Sequence, residues 1–533
     1  MGKVMFIRKS IKSLTTAAVV VACASSGSLA QKSGGTLNLI VQPEPPTINV
    51  GVNRLGPASF VGSKIYEGLI SFTPKLEPRP QLAESWTISP DGLTYTFHLR
   101  KGVTWHDGKP FTSADALFSF QKFLPAVFFR AKLVLSEAES ITAPDDHTIV
   151  FKLKAPYPGF IQIFEVTGGT ILPAHLYEGV TDYRNAPANQ QFIGTGPFKV
   201  AEWKRGNYVR LVKNAAYWDR GKPYLDEIYF HVIPDANSRS IAFETGKVDV
   251  LRAGDVENFD ISRLAKEKGV ELTEAGWEFL QPIGYLHLNN RRKPFDDVRV
   301  RQAVAHAIDR KFIIETIFSG FGRETNGPFY STKPYRDTSA ETKYEFDPKK
   351  ANKLLDEAGL KPGPNGVRAE VELLPLPYGE LWQRQAEYVR DALGAIGIKA
   401  NIASVDVAGW FQRLTTFNYD VGQNFVYTFG DASIGLNQTY LTVKGDNAGT
   451  SGSNVQGYSN PEVDDILVKA AHENDPAARA KLYSRFQQIV TKEVPLIWTH
   501  EMVFPTLYRS KVHNLTLTGL GTNENFAEVW IDQ

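Results

Sequence analysis

Strand and helix signals alternate along the chain, with no repeat of fixed period and no long structureless linker, which narrows the architecture to α/β layers. The clearest instance runs from Ala369 to Val405. Val371 and Leu373 mark a strand, Leu381, Val389 and Leu393 share a helix face, and Ile398 to Val405 read as a second strand after the Gly397 break. Parallel strands need a crossover of this kind, so the segment predicts one βαβ unit. Elsewhere Tyr95, Phe97 and Leu99 alternate with polar neighbours, as do Ile149, Phe151 and Leu153, the period of half-buried antiparallel strands. From Asp296 the spacing turns helical, with Val300, Val304, Ala307, Ile308 and Phe312 on one face, Asp296 as N-cap and Gly320 as stop. Asp347-Pro348 and Asn460-Pro461 open two further helices, where a proline costs no hydrogen bond.

A chain of 533 residues with 42% hydrophobic side chains has room for several cores, at ~150 residues per domain. Lys+Arg 59 against Asp+Glu 58 leaves no basic excess for nucleic acid, whose phosphates require clustered cations. One cysteine excludes a disulfide scaffold and a Cys-ligated metal site. Lys3, Arg8, Lys9 and Lys12 precede the small, apolar run Ser13 to Ala22, and Ser28, Leu29 and Ala30 have the small-residue spacing of a cleavage site, so residues 1–30 read as a secretory signal. An alternative is a lipoprotein box, Val20, Val21, Ala22 and Cys23, with the cysteine as a lipid anchor.

Catalytic motifs are missing. There is no HExxH, no GxSxG elbow and no GxxxxGK phosphate loop. His500, inside Leu496 to His500, reads as a structural residue of a strand. The acidic pairs Asp145-Asp146, Asp296-Asp297 and Asp464-Asp465 read as caps and turns. No cofactor or metal is expected. The positive signal is aromatic: 12% of the chain is Phe, Tyr or Trp, and Trp277, Trp382, Trp410, Tyr427 and Trp498 fall on expected loops and strand ends, where they suit the walls of a cleft for an organic solute. A strand at Tyr419 to Val421 is expected to run into the loop Asn424, Phe425, Val426, Tyr427, Thr428, Phe429, Gly430 and Asp431. Ligands of open α/β sheets sit beyond the carboxyl ends of strands, which makes this loop the first candidate site. The alternative is a packed loop whose Asp caps the next element.

The segment Ala83 to Asp115, AESWTISPDGLTYTFHLRKGVTWHDGKPFTSAD, resembles the signature region of the peptide-type (family 5) extracellular solute-binding proteins of ABC importers. YEGL at Tyr66 to Leu69, GTGPFKV at Gly194 to Val200, LHLNNRRKPFDDVRVRQAVAHAIDR at Leu286 to Arg310, FDPKKANKLLDEAGL at Phe346 to Leu360 and GYSNPEVDDIL at Gly457 to Leu467 follow in family order. The resemblance implies a two-lobed periplasmic binding protein, type II-like and of cluster C, with an extra subdomain in the first lobe. Lobe I would take 31–68, 194–287 and 502–533, the subdomain 69–193 and lobe II 288–501, with crossings near Leu288 and Glu501. It further implies a monomer that closes on a peptide or small polar solute and delivers it to an ABC permease of the inner membrane, with no bond made or broken. A secreted hydrolase or a periplasmic chaperone is the rival reading.

This sequence departs from the family at the ligand anchors. Thr428 stands where dipeptide and oligopeptide binders place an acid for the peptide amine, with Asp431 three positions later, and Leu376 falls where dipeptide binders place an arginine. The arginine that nickel-chelate binders carry near Val166 to Gly169 is absent. Either Asp431 and Arg54 assume those roles, or the solute is an oligosaccharide or opine-like conjugate held by aromatic walls and neutral groups such as Thr428 and Asn424. The candidate ligand-binding residues are Arg54 and Ser59 from the first lobe, Trp382, Trp410 and Trp498 as aromatic walls, and Asn424, Phe425, Tyr427, Thr428 and Asp431 from the loop.

Overall fold

The computed structural model describes residues 32–532, so the leader and Cys23 lie outside the described residues. Three main sheets organise the chain. In the first, Thr36–Ile40 runs parallel to Glu227–His231, which continues antiparallel through Tyr208–Lys213 to Phe198–Lys204. The second is antiparallel, in the order Ala83–Ile88, Thr94–Leu99, Thr148–Leu153, Ala138–Asp145. Tyr95, Phe97 and Leu99 are buried, as are Ile149, Phe151 and Leu153, in the alternation that the sequence predicts. The third sheet has six strands: Gly322–Arg323, Leu496–Met502, Ile283–Leu288, Val421–Val426, Ala369–Leu374 and Ile398–Ile402. Its βαβ unit forms as expected, with Ala369–Leu374 parallel to Ile398–Ile402 and the helix Glu380–Gly394 between them. The fold is two-lobed and α/β, with the antiparallel sheet as an added layer on the first lobe. Its apolar core is continuous with that lobe's own, from Leu37 and Phe60 through Phe97 and Phe151, whereas the six-stranded sheet is packed by two other clusters.

Local chemistry explains most helix starts. Asp347 accepts from Lys350 N at 2.9 Å and Asn460 from Glu462 N at 2.9 Å, ahead of helices Pro348–Glu357 and Pro461–His472. Two expectations are corrected. The helix after Lys293 is capped by Asp297, one residue later than expected, and ends at Ala307, because Asp309 caps a new turn by accepting from Phe312 N at 3.0 Å. The strand expected at Tyr419 to Val421 lies at Val421–Val426, so Asn424 and Phe425 belong to the sheet and not to a loop. Its polar residues hide that extent: Gln423 is fully buried and accepts from Leu376 N at 3.2 Å, while Asn424 Nδ2 donates to Ser451 O at 3.0 Å.

The lobes touch directly. Arg384 pairs with Glu257 at 2.7 Å, Asn258 Nδ2 donates to Phe318 O at 3.1 Å, and Arg323 pairs with Glu274 at 2.7 Å. No helix among the described residues is long and apolar enough to cross a membrane.

Candidate functional site

Beyond Val426 the chain forms the turn Tyr427 to Asp431, fixed against the turn residues Phe279 and Leu280, just ahead of the strand Ile283–Leu288. Thr428 N donates to Leu280 O at 2.8 Å and Gly430 N to Phe279 O at 2.7 Å. These bonds hold Phe429 at φ 48°, a left-handed conformation that costs a β-carbon-bearing residue about 1–2 kcal/mol. The result is a two-faced loop. On one face Tyr427 and Phe429 project; on the other lies Asp431.

The aromatic face continues a row that begins deep in the second lobe. Trp382 stacks on Phe425 at 5.7 Å and 16°, Phe425 meets Tyr427 edge-on at 5.3 Å, and Tyr427 meets Phe429 at 5.7 Å. Phe504 packs against both Phe425, at 6.4 Å, and Trp277, at 4.7 Å. Tyr427, Phe425, Phe429 and Phe504 each keep part of their surface accessible. Burial nevertheless raises the Tyr427 phenol far above its ordinary range, with Arg252 opposing.

Arginines stand opposite. Arg130 lies 3.3 Å from the Phe429 ring centre and 4.9 Å from Phe128, and Arg54 lies 3.9 Å from Phe128 on a separate contact. Burial lowers Arg54 to about 9, helped by the charge of Arg130, and lowers Arg130 to about 10. Arg252 rests 3.5 Å over Phe60, and its Nη1 reaches Asn523 Oδ1 at 3.4 Å. Three buried guanidinium nitrogens, Arg54 Nη2, Arg130 Nε and Arg252 Nε, have no hydrogen-bond partner. Nearby Glu165 turns both carboxylate oxygens to Thr167, at N–H and hydroxyl distances of 2.5 and 2.8 Å.

The Asp431 face is the reverse case. Arg479 donates to both carboxylate oxygens at 2.7 Å, and Ser433 N and Oγ add bonds of 2.9 and 2.7 Å. Burial pushes Asp431 upward, but Arg479 and Ser433 overcome it and hold the carboxylate below its ordinary range. Asp431 is therefore the cap of Ala432–Gly435 and half of an ion pair, the alternative of a packed loop: Oδ1 is fully bonded, and Oδ2 is engaged by Arg479.

Other expected site residues divide in the same way. Arg54 packs on Phe128, Phe425 and Tyr427 join the aromatic row, and Trp382 backs Phe425. Ser59 is buried with an unpartnered hydroxyl, one residue before Phe60. Trp410 is buried in the second-lobe core, 6.4 Å from the exposed Tyr378. Trp498 belongs to another core cluster and donates to the Tyr440 hydroxyl at 3.0 Å, so it is no wall of the cleft. Thr428 is fully buried against Leu280, and Asn424 spends its amide on Ser451 and on Phe425 N. Neither offers a neutral group to a solute. Arg130, Phe128, Arg252 and Phe504 escaped the sequence reading, which held Phe429 only as a member of the candidate loop. The run Val127-Phe128-Phe129-Arg130 looks like core followed by a solvated charge, and only the fold turns its arginine inward. Among the described residues no group of His, Cys, Asp or Glu could hold a metal ion.

The sequence profile of the bacterial extracellular solute-binding proteins, family 5 (middle region), matches residues 77–447. The chain belongs to this family. As a family 5 protein it is a solute-binding receptor of an ABC import system, which takes up a small ligand or peptide for a permease. It is 30% identical to the glutathione-binding protein GsiB of Escherichia coli (strain K12) over 464 residues, 86% of each chain. It is 29% identical over 458 residues to heme-binding protein A of Haemophilus influenzae, 81% of each chain. Among solved structures it is similar to the AgaA protein of A. tumefaciens R10 in complex with agropinic acid, at 28% identity and a TM-score of 0.78, covering 94% of this chain and 99% of that one. It is also similar to the periplasmic binding protein DppA of Helicobacter pylori in complex with the peptide STSA, at 25% identity and a TM-score of 0.80, again over 94% and 99%. Together these family 5 relatives span peptide, glutathione and opine binders, so family membership fixes the role and leaves the solute to the cleft.

Proposed function

We propose that this receptor captures a peptide-sized organic solute between the aromatic row Trp382, Phe425, Tyr427 and Phe429 and the arginines of the first lobe, and that lobe closure seals it for the permease. The observation that carries the reading is the pairing of these two walls, one from each lobe, with Phe429 already seated on Arg130 at 3.3 Å. A solute bridging both walls favours the closed form by its differential contact with the two lobes. The proposed division is lobe I at 31–68, 194–282 and 502–533, the subdomain at 69–193 and lobe II at 283–501. Ile283–Leu288 and Leu496–Met502 are adjacent antiparallel strands of the six-stranded sheet, so residues 283–287 go with lobe II, a correction to the expected crossing at Leu288, and both crossings fall at one end of this strand pair. The receptor works as a monomer in the periplasm, exported through residues 1–30 or tethered through Cys23, and performs no chemistry on its solute.

Two solute classes fit, a peptide and an opine-like conjugate, and the relatives that bind glutathione and agropinic acid support both. A neutral oligosaccharide fits less well, because Asn424 and Thr428 are internally bonded. A thermal-shift screen of residues 31–533 against di- to tetrapeptides, glutathione, opines, oligosaccharides and nickel chelates tests the reading. A true solute stabilises the folded state by about 2.7 kcal/mol at a hundredfold excess over its dissociation constant. The expected result is a stoichiometric shift with the solute recovered intact. Consumption of the solute, or no shift from any peptide or opine, would overturn it.

A further inference from the structure

Arg54 and Arg130 come from distant segments, the turn before Gly56–Gly62 and the helix Phe129–Leu135, yet both lie against the Phe128 ring. Arg54 is anchored by its own lobe: Nε donates to Thr167 O and Nη1 to Gly51 O, both at 2.8 Å. That anchoring leaves Nη2 buried and unpartnered, as is the Nε of Arg130, whose guanidinium lies over the same Phe128 ring. A guanidinium stays charged at any physiological pH, so these are ionic donors without acceptors, and an unmet buried charged donor costs more than a neutral one. Neither arginine forms an ion pair, although Glu165 is close enough to raise both. Arg184, a third nearby cation, donates to Val127 O. Positive charge therefore exceeds negative charge at this end of the cleft.

An unmet donor pair held this firmly has the form of a receptor for an oxyanion. We propose that Arg54 and Arg130 form the subsite for a carboxylate of the solute, so that the transported solute is an acid: a peptide or amino-acid conjugate lying with a free carboxylate on the subdomain side and the rest of its body along Tyr427 and Phe425. The proposal rests on the receptor reading and narrows it. Planar guanidinium forks match a carboxylate, and a phosphate would meet the same donors, so the test separates the two. Phe429 joins from the second lobe, so closure both stacks Arg130 and shields the bound anion from water, where charge-assisted bonds strengthen.

Small probes make the test independent of the full solute. Glutarate, its neutral diamide glutaramide, and inorganic phosphate are titrated at constant ionic strength into the exported chain and into Arg130→Met and Arg130→Lys, with the melting temperature as readout. Glutarate is expected to raise the wild-type melting temperature by about 1–3 °C at a tenfold excess over its dissociation constant, glutaramide and phosphate not at all. Arg130→Met is expected to abolish the shift, and Arg130→Lys, which keeps the charge but not the fork, to retain a smaller one. Equal glutarate shifts in wild type and Arg130→Met, no shift in either, or a shift from phosphate alone would overturn the carboxylate subsite. A glutarate shift without any hit in the peptide and opine screen would instead overturn the solute classes proposed above and leave the subsite standing. Arg54→Lys serves as a second variant, since it spares the chain if Arg130→Met fails to fold.

Discussion

The two faces of the Tyr427 to Asp431 loop carry arginines of opposite fate. On the Asp431 face Arg479 is matched oxygen for nitrogen. On the Phe429 face Arg130 has a ring beneath it and an Nε with no acceptor. Both guanidiniums are largely withdrawn from water, so burial alone does not separate a structural charge from a functional one; the state of its partners does. Cavity size points the other way. A groove of about 930 Å³ opens on the Asp431 face, lined by Trp277, Gln281, Arg323, Lys333, Asp431 and Arg479. Three of its cations are already engaged: Arg323 with Glu274 at 2.7 Å, Lys333 with Gly430 O at 2.8 Å, and Arg479 with Asp431. This groove thus offers the less demanding chemistry, and the solute is expected where donors are unmet.

The comparison breaks most visibly at Arg479. Arg479→Ala leaves the Asp431 carboxylate buried without its counter-ion, and removal of one partner from a buried pair costs about 3–5 kcal/mol. Urea unfolding is expected to show that loss, and a change below about 1 kcal/mol would mean that the two faces do not differ. A further test comes from an unpaired acid. Glu524 is buried, its Oε2 has no partner, and burial raises it to about 7. Because the folded pKa lies above the unfolded one, the native state keeps a proton that the unfolded chain has released, and stability falls as pH rises from about 4.5 to about 7. Glu524→Gln carries no such proton. Its stability relative to wild type is expected to be near zero at pH 4.5 and to grow by about 3 kcal/mol by pH 8. A gap that stays constant with pH would show that Glu524 is ionised throughout. Arg130→Met sharpens the contrast from the other side, since the charge it removes is hydrogen-bonded to no acid, and nearby Glu165 keeps its bonds to Thr167. Its unfolding free energy is expected to lie within about 1 kcal/mol of wild type.

What the sequence made legible follows the same division between local and distant chemistry. The strands at Thr94–Leu99 and Thr148–Leu153, the βαβ unit and the caps at Asp347 and Asn460 depend on neighbours within a few residues, and the alternation or the cap residue displays them. The strand Val421–Val426 was harder, because a central strand is covered on both faces and here carries Gln423 and Asn424, whose partners lie 47 and 27 residues away. Asp431 could be read as a cap but not as a bonded partner of Arg479, 48 positions along the chain. Trp498 was taken for a wall because an aromatic in a strand does not declare its face; its indole bond to Tyr440 spans 58 positions. Arg130 was invisible for the same reason: its chemistry lies in what fails to reach it, which only the folded chain defines.

The smallest expected effect concerns a charge pair of an intermediate kind. Arg384 of the second lobe and Glu257 of the first meet at 2.7 Å, but their side chains remain 41% and 31% exposed. Water and salt screen such a pair, which contributes less than about 1 kcal/mol. That pair nevertheless exists only while the lobes are together, so its whole contribution falls on the closing equilibrium and none on the core of either lobe. Glu257→Gln is therefore expected to leave unfolding unchanged while weakening solute binding about two- to threefold. The deficit should vanish at 0.5 M salt, roughly where screening has already silenced the wild-type pair. A loss above about tenfold that persists in high salt would place Glu257 and Arg384 with Arg479, as charges whose pairing holds structure, and would draw the boundary between the two kinds of arginine elsewhere than at burial of the partner.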